Sequence, residues 1–474
     1  MSESKKQTVS NWYLRPGERR SLLLFGDFVI AWAAFGIAVY SWARAVVFNQ
    51  QPVFEFARST LAPWFYLLPI IWMVLLIDTY DRRTSSDLNR TVRAVGVAAL
   101  IGMMLYLLVY FTSDDSLPRR GVAVYLASAA GLTLLWRVAY LQIFSATRFL
   151  HRVFLVGAGE TGQALLRVLE TIEPPFVMSG LIDDDPEKMG QQFGGYRVIG
   201  TSNDLIDLAE QNNVTEFIVA ISGKIIPETF ETLLDAQQRG IQITRMPLAY
   251  EELMERVPVE HLEADWILRS FVDEARVSSF YTIAKRLMDI VAGLIGALSL
   301  VVIGPLVSLA ILIESGRPVV FEQTRAGRGG VPFRIYKFRS MRQHDPDKGE
   351  RPVLTSENDD RVTKLGKFLR KTHLDEWLQF FNVLRGDMSL VGPRPELPEY
   401  VDHFQKHIPF YKARLLVKPG VTGWAQVHIK YAANLEEMVV KMEYDLYYIK
   451  HRTLWMDLMI LLRTAAAVFG FRGR

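Results

Sequence analysis

The chain contains no cysteine. That absence excludes disulfides, cysteine-bound zinc, iron–sulfur clusters and a thiol nucleophile, so any covalent intermediate has to form on another residue type. Histidine is scarce: the eight present are scattered without ligand spacing, and none is assigned a metal. A strong charge of one sign is also missing. The net charge of +3 excludes a polyanion-binding class on charge alone, so no nucleic-acid partner is expected. There is no internal repeat and no long low-complexity tract. No cleavable signal peptide is expected, because Met1–Arg20 is polar and basic and the first apolar run is too long for a signal core.

What is abundant is apolar sequence. Half the residues are hydrophobic and 12% are aromatic, which is ordinary for a part-membrane protein. Four apolar stretches, about Ser21–Phe48, Leu61–Tyr80, Val92–Thr112 and Gly121–Ile143, each approach or exceed the roughly 20 residues a helix needs to cross a bilayer. Asp27 interrupts the first and Arg137 the fourth; the expectation is that each lies near a membrane face, the other reading being an interhelical contact. Lys5, Lys6, Arg15, Arg19 and Arg20 precede the first stretch, and Arg82, Arg83, Arg90 and Arg93 follow the second. The other two loops carry only Arg44 and Arg58, and Asp114 and Asp115 beside Arg119 and Arg120. The positive-inside bias puts the N-terminus in the cytoplasm and, after four crossings, returns the chain there near Thr147.

His151–Pro247 then reads as an α/β unit. The short apolar strand Val153–Val156 leads into Gly157-Ala-Gly159-Glu-Thr-Gly162 and a helix, and a second strand ends at Asp183. This resembles a Rossmann-type fold, in which the glycines allow a tight turn, helix N–H groups face a pyrophosphate, and an acid at the position of Asp183 takes a ribose. The alternative is a scaffold that packs subunits together, which makes a homodimer plausible.

After Lys285-Arg286-Leu-Met-Asp289 an uncharged run extends from Ile290 to Ile313, interrupted by Gly304-Pro305. One more crossing would carry a Lys- and Arg-rich remainder outside, against the charge bias. A re-entrant segment over 285–313 avoids this, with a kink at Pro305 and with Lys285 and Arg286 at the headgroup level.

The last 190 residues or so carry ordered motifs. They are Lys285-Arg286-x-x-Asp289, Gly316-Arg-Pro318, Phe321-x-Gln323-x-Arg325-x-Gly327, Phe333-x-x-x-Lys337-Phe-Arg-Ser-Met341, Leu374-Asp-Glu376, Gly386-Asp-Met-Ser-Leu-Val-Gly-Pro-Arg-Pro395 and Lys418-Pro-Gly-Val-Thr-Gly-Trp-Ala-Gln-Val427. In this order they resemble the bacterial polyprenyl-phosphate hexose-1-phosphate transferases, the family that starts exopolysaccharide and O-antigen repeat units. The four-span start and the α/β insert resemble its long members; Gly304-Pro305 departs from the Ser-Pro of many relatives. The resemblance implies transfer of hexose-1-phosphate from a UDP-hexose to undecaprenyl phosphate with release of UMP, at the inner face of a bacterial cytoplasmic membrane. It also implies an acid pair and Mg²⁺.

Residue chemistry agrees. Thr372-His-Leu-Asp375 has a capping-box-like pattern, expected to open an amphipathic helix with Leu374, Leu378, Phe381 and Leu384 on its apolar side and to end at Gly386. Asp375 and Glu376 would occupy its first turn, with Arg370, Lys371 and Arg394 nearby. Carboxylates ringed by cations suit phosphoryl transfer, one acid attacking or holding metal while the cations neutralise oxygens. The expected assignment is Asp375 as nucleophile, forming a sugar-phosphoryl-aspartate, and Glu376 as metal ligand; Arg370 and Arg394 are candidate phosphate clamps. Spacing alone does not separate nucleophile from ligand.

Arg325, Arg328, Lys337 and Arg339 are candidates for the diphosphate or for anionic headgroups. Asp445 matches a family acid and holds either metal or a clamp arginine. Trp424 walls the site or packs in the core. The tail Leu454–Phe469, with Asp457 and Arg463, reads as an interfacial helix, the other reading being a docked one. The expected organisation is a four-helix membrane bundle over 1–148, a Rossmann-like insert over 149–250, a linker over 251–280 and a re-entrant-helix-anchored α/β catalytic domain over 281–474. Two rivals stand beside it. One is an NAD-dependent nucleotide-sugar dehydratase or epimerase, whose Tyr-x-x-x-Lys is matched by Tyr281 and Lys285. That match lies outside the α/β unit, so NAD(P) is not expected. The other is a catalytically dead scaffold, against which the intact acid pair speaks.

Overall fold

The computed structural model describes residues 16–46, 61, 63–80, 87–112, 119–144, 151–172, 174–262, 266, 269–274, 278–342, 361–429 and 434–468. They fall into two units, Met1–Thr244 and Arg245–Arg474. Of the charges used above to orient the chain, Lys5, Lys6, Arg15, Arg58, Arg82, Arg83, Asp114 and Asp115 lie outside the described residues.

In the first unit α1 (Pro16–Val46), α3 (Leu88–Thr112) and α4 (Arg119–Phe144) are long apolar helices with membrane-crossing length. The second apolar stretch is a correction. It is a 3-10 turn (Pro63–Leu67), a short α2 (Leu68–Leu75) and another 3-10 turn (Ile77–Tyr80), not one continuous helix. Pro69 would remove a hydrogen bond from the interior of a helix begun at Leu61; instead it opens a new helix, where its missing N–H costs nothing. Asp27 and Arg137 also depart from expectation. They form an ion pair between α1 and α4 at 2.6 Å, both fully buried, rather than marking a membrane face. Arg137 also donates to the hydroxyl and carbonyl oxygens of Thr79. The physical reason is that a charge inside an apolar bundle is tolerated when an opposite charge and hydrogen bonds meet it.

The α/β part has a six-stranded sheet ordered β3-β4-β2-β1-β5-β6. Its strands are β1 (His151–Val156), β2 (Phe176–Ile182), β3 (Gln192–Phe193), β4 (Tyr196–Gly200), β5 (Glu216–Val219) and β6 (Gln242–Arg245). β4, β2, β1 and β5 run parallel, and β3 turns back antiparallel on β4. Strand order reverses beside β1, whose C-terminal end carries the glycine turn into α5 (Glu160–Thr171). Gly157 has φ +105°, a left-handed conformation that favours glycine.

In the second unit α8 (Met246–Met254) follows α6 (Leu205–Asn212) and α7 (Pro227–Gln238) of the insert in sequence. α8 packs on α14 (Leu435–His451): Glu251 meets Lys450 at 3.1 Å and His451 at 2.8 Å. The stretch expected as a linker from residue 251 therefore begins inside a docked helix.

The main element is α9 (Ser279–Ser315), continuous through Pro305. The proline does not end the helix, and Leu300, Val307 and Ile311 pack that half against Phe338 and Leu369. Lys285, Arg286 and Asp289 all turn inward. Lys285 reaches Asp457 and Tyr448, Arg286 donates to the carbonyls of Val383 and Leu384, and Asp289 accepts from Ser389 and the Leu390 N–H. One face of α9 is thus bound to its own unit from end to end. The opposite face is exposed and apolar along its length, from Ile283 (69% exposed) to Ile313 (79%).

α9 approaches α11 (Gln379–Arg385) closely at Gly293 and Gly296, where a β-carbon would overlap Leu384 and the Phe380 ring. Gly296→Leu is expected to destabilise the fold by about 1–3 kcal/mol through overpacking. The check is the thermal midpoint of the detergent-solubilised chain, and an unmoved midpoint would refute this packing account.

The remaining elements frame a site. β7 (Val320–Ala326) and β8 (Pro332–Phe338) form an antiparallel hairpin. α10 (Lys364–Lys371) and α11 lead to β9 (Ser389–Val391), which pairs in parallel with β10 (Gly420–Thr422). α12 (Pro398–Phe404), α13 (Trp424–His428), α14 and α15 (Leu454–Val468) complete the unit. α15 is docked rather than lying free on an interface. Its Asp457 is fully buried and accepts from Lys285, Tyr281 and Tyr448, although Trp455 and Leu458 remain exposed.

Candidate active site

Asp375 and Glu376 sit in a 3-10 turn, Leu374–Glu376, between α10 and α11. The expected capping box does not form. The Thr372 hydroxyl donates backwards to Phe368 and Leu369 carbonyls, so it closes α10, and His373 at φ +55° redirects the chain. α11 begins only at Gln379, three residues beyond Glu376. The acids therefore lie before that helix rather than in its first turn. The apolar stripe differs too. Phe381 is exposed, while Gln379, Asn382 and Val383 are buried and Asn382 hydrogen-bonds the β8 backbone at Arg334 and Tyr336. Gly386 ends α11 as expected, at φ +94°.

The two neighbouring acids have unlike surroundings. Glu376 Oε1 accepts from Lys337 Nζ at 2.6 Å and from Arg394 Nη2 at 2.7 Å. Burial alone would raise its carboxyl, but the Arg394 and Lys337 charges outweigh burial and hold it well below the usual range. Asp375 is buried, and among the described residues no hydrogen bond or ion pair takes up its carboxylate. Burial, and then the adjacent Glu376 charge, push Asp375 above the usual range against the pull of Lys337, Arg370 and His373. One acid is thus clamped by two cations, while the other is desolvated and has its lone pairs free.

Four of the five expected phosphate-binding cations act on this pair. Lys337 and Arg394 hold Glu376. Arg370, with Nε on the Ser340 hydroxyl at 3.2 Å, lowers Asp375 through its charge. Arg325 reaches Glu376 through its charge alone, and its hydrogen bonds, like those of Arg339, go elsewhere. Arg325 donates to Pro395 O at 3.1 Å and to Gln323, and Arg339 caps the C-terminus of α9 through the Ser315 and Gly316 carbonyls. Arg328 is exposed.

Asp445 is buried with Arg414 at 2.8 Å, so of its two readings the structure has the arginine clamp. Trp424 is a core residue whose indole donates to Glu255 O at 3.0 Å. Tyr281 and Lys285 both point at Asp457, an arrangement built for packing α9 rather than for a Tyr–Lys catalytic pair. In the α/β insert Asp183 accepts from the Ala158 and Asp185 N–H groups and from Lys188, so it braces the turn of Gly157 and Gly159, and Gly162 packs its helix against the Gly157 carbonyl. Sequence reasoning missed Glu396, Lys441 and Arg414. Glu396 meets Lys441 at 2.6 Å and Arg414 at 3.6 Å, and these charges bring its carboxyl down to about 2 despite burial. Their separation in sequence leaves no local signal.

Among the described residues no group of three or more His, Asp or Glu side chains assembles around a common metal position. Mg²⁺ commonly binds one or two carboxylates and completes its shell with substrate phosphates and water. The adjacent acids fit that mode: Asp375 is unengaged, and Glu376 Oε2 carries only a 3.4 Å contact with Arg394.

Residues 280–471 match the family described as bacterial sugar transferase, and residues 75–226 match a CoA-binding domain family. The chain is 43% identical over 228 residues to the UDP-N-acetylgalactosamine-undecaprenyl-phosphate N-acetylgalactosaminephosphotransferase of Aeromonas hydrophila, covering 47% of this chain and 52% of that one. It is 33% identical over 292 residues to a UDP-glucose:undecaprenyl-phosphate glucose-1-phosphate transferase of Xanthomonas campestris pv. campestris, covering 60% and 58%. A protein of the same description from Caulobacter vibrioides is 43% identical over 189 residues, which cover 39% of this chain and 69% of that one. The chain thus spans about half the length of the first two relatives and more than two thirds of the third.

Proposed function

The chain belongs to the bacterial sugar transferase family, and from that premise we propose that it transfers a hexose-1-phosphate from a UDP-hexose to undecaprenyl phosphate. The observation that carries the proposal is the inequality of Asp375 and Glu376: a free, desolvated carboxylate beside one clamped by Lys337 and Arg394.

In this reading an Asp375 oxygen attacks the phosphorus that bears the sugar. The bond from that phosphorus to the UMP oxygen breaks, and UMP leaves with the electron pair. A sugar-phosphoryl-aspartate remains. An oxygen of undecaprenyl phosphate then attacks the same phosphorus, and the Asp375 carboxylate departs unchanged. Arg394, Lys337 and Arg370 are positioned to offset charge on the phosphoryl oxygens, which is most of what a protein contributes to this chemistry. Glu376, with Asp375 beside it, would hold Mg²⁺, whose contribution when bound is charge neutralisation on the diphosphate.

α9 supports delivery of a lipid acceptor. Its two ends and its middle are all fixed to one unit, while the opposite face presents an uninterrupted apolar strip. In this reading Pro305 bends the helix enough for it to enter and leave on the same side of a bilayer, with its apolar face in lipid. That side is then the cytoplasm, because the Lys- and Arg-rich sequence after Glu314 fits the positive-inside bias there. The test is purified chain in detergent with undecaprenyl phosphate and a panel of UDP-sugars, scored for UMP. At least one UDP-hexose is expected to give acceptor-dependent UMP. No UMP from any of them would defeat the proposal.

A further inference from the structure

We infer that Arg414 is a positioning residue for the transfer step: it fixes the backbone of Arg394 and, through it, the guanidinium that clamps Glu376 beside Asp375. The inference rests on the reading of Asp375 and Glu376 as the reacting pair.

Arg394 stands between Pro393 and Pro395 in the loop between β9 and α12. Its side chain reaches Glu376, yet 40% of it is exposed, so packing alone does not hold it. What is held is the loop. Three consecutive carbonyls are each taken up: Arg394 O by Arg414 Nη2 at 3.0 Å, Pro395 O by Arg325 at 3.1 Å, and Glu396 O by the Ala326 N–H at 2.9 Å. The flanking prolines restrict φ on either side. A guanidinium on such a loop is aimed by its main chain.

Arg414 is the centre of this support. It is 3% exposed, and its planar head meets four groups at once. Nη1 donates to Tyr411 Oη at 2.6 Å and lies 3.6 Å from Glu396, while Nη2 donates to Asp445 at 2.8 Å and to the Arg394 carbonyl. Tyr411, Asp445 and Glu396 keep it charged against burial. The two carboxylates could be neutralised by any buried cation. The bond to Arg394 O is different, because it needs a second N–H in a fixed direction, which a lysine ammonium lacks.

Arg414→Lys tests this, since it keeps the charge for Asp445 and Glu396. Its kcat is expected to fall on the order of 10- to 100-fold, the scale of a 1 Å misplacement, with KM for the UDP-sugar within about twofold. The double variant Arg414→Lys, Arg394→Gln should be no slower than Arg394→Gln alone, since both changes remove one clamp. An additive double variant, or a loss that falls on KM for the UDP-sugar rather than on kcat, overturns the inference. Where Arg414→Lys does not fold, Asp445→Asn frees one side of the same guanidinium and should lower kcat with KM for the UDP-sugar within about twofold; an unchanged kcat there is equally fatal. Failure of the transferase reading looks different, as absent UMP release from the native chain.

Discussion

Replacing Asp375 by Asn is expected to lower acceptor-dependent UMP release on the order of 10³-fold or more, the usual scale for loss of a nucleophile whose partners remain. The substitution keeps the shape of the side chain. It also removes no hydrogen bond or ion pair among the described residues, so the fold should survive and the loss should fall on kcat. Glu376 would stay clamped by Lys337 and Arg394. The companion measurement is radiolabel: native chain given sugar-labelled UDP-hexose without acceptor should retain sugar-phosphate, and Asp375→Asn should not. A variant close to native in rate removes Asp375 from its role. Undiminished turnover with no label ever retained points to direct transfer between substrates.

Arg394→Gln is expected to cost about 10²- to 10³-fold in kcat, as loss of one well-aimed charge-stabilising donor does. Two effects act together. The phosphoryl oxygens lose a cation, and Glu376 loses the largest of the charges that hold its carboxyl down, so that acid climbs back toward its ordinary range with Lys337 and the weaker Arg325 charge left to oppose burial. Because the second effect depends on proton concentration, the deficit should be larger at low pH than at high pH. A deficit constant across the profile would mean that Arg394 touches substrate alone and leaves the acid pair untouched.

The acid pair was legible because its neighbours in sequence are also its neighbours in space: Leu374-Asp-Glu376 carries the chemistry in three consecutive positions. Its setting was not. Thr372 and Asp375 have capping-box spacing, but the threonine hydroxyl found carbonyls of the preceding helix, and spacing cannot tell which way a hydroxyl turns. Arg325 and Arg339 look like Lys337 and Arg394 as sequence. Only the fold reveals that two of the four end on main-chain carbonyls. Glu396, Arg414 and Lys441 lie too far apart for any local pattern to join them. In the first unit the broken second stretch was legible in principle, since Pro69 already argues against a helix through it.

Asp27 and Arg137 are 110 residues apart in the chain, and each is the other's counterion. A ribosome adding roughly 5–20 residues per second makes the acid on the order of 5–20 seconds before its base. During that interval α1 carries a carboxylate with no cation to meet it, in a segment otherwise suited to hydrocarbon. Until the last helix of the bundle is made, the first therefore carries one unanswered acid, a cost of about 2.5–3.5 kcal/mol in hydrocarbon that the arrival of Arg137 offsets.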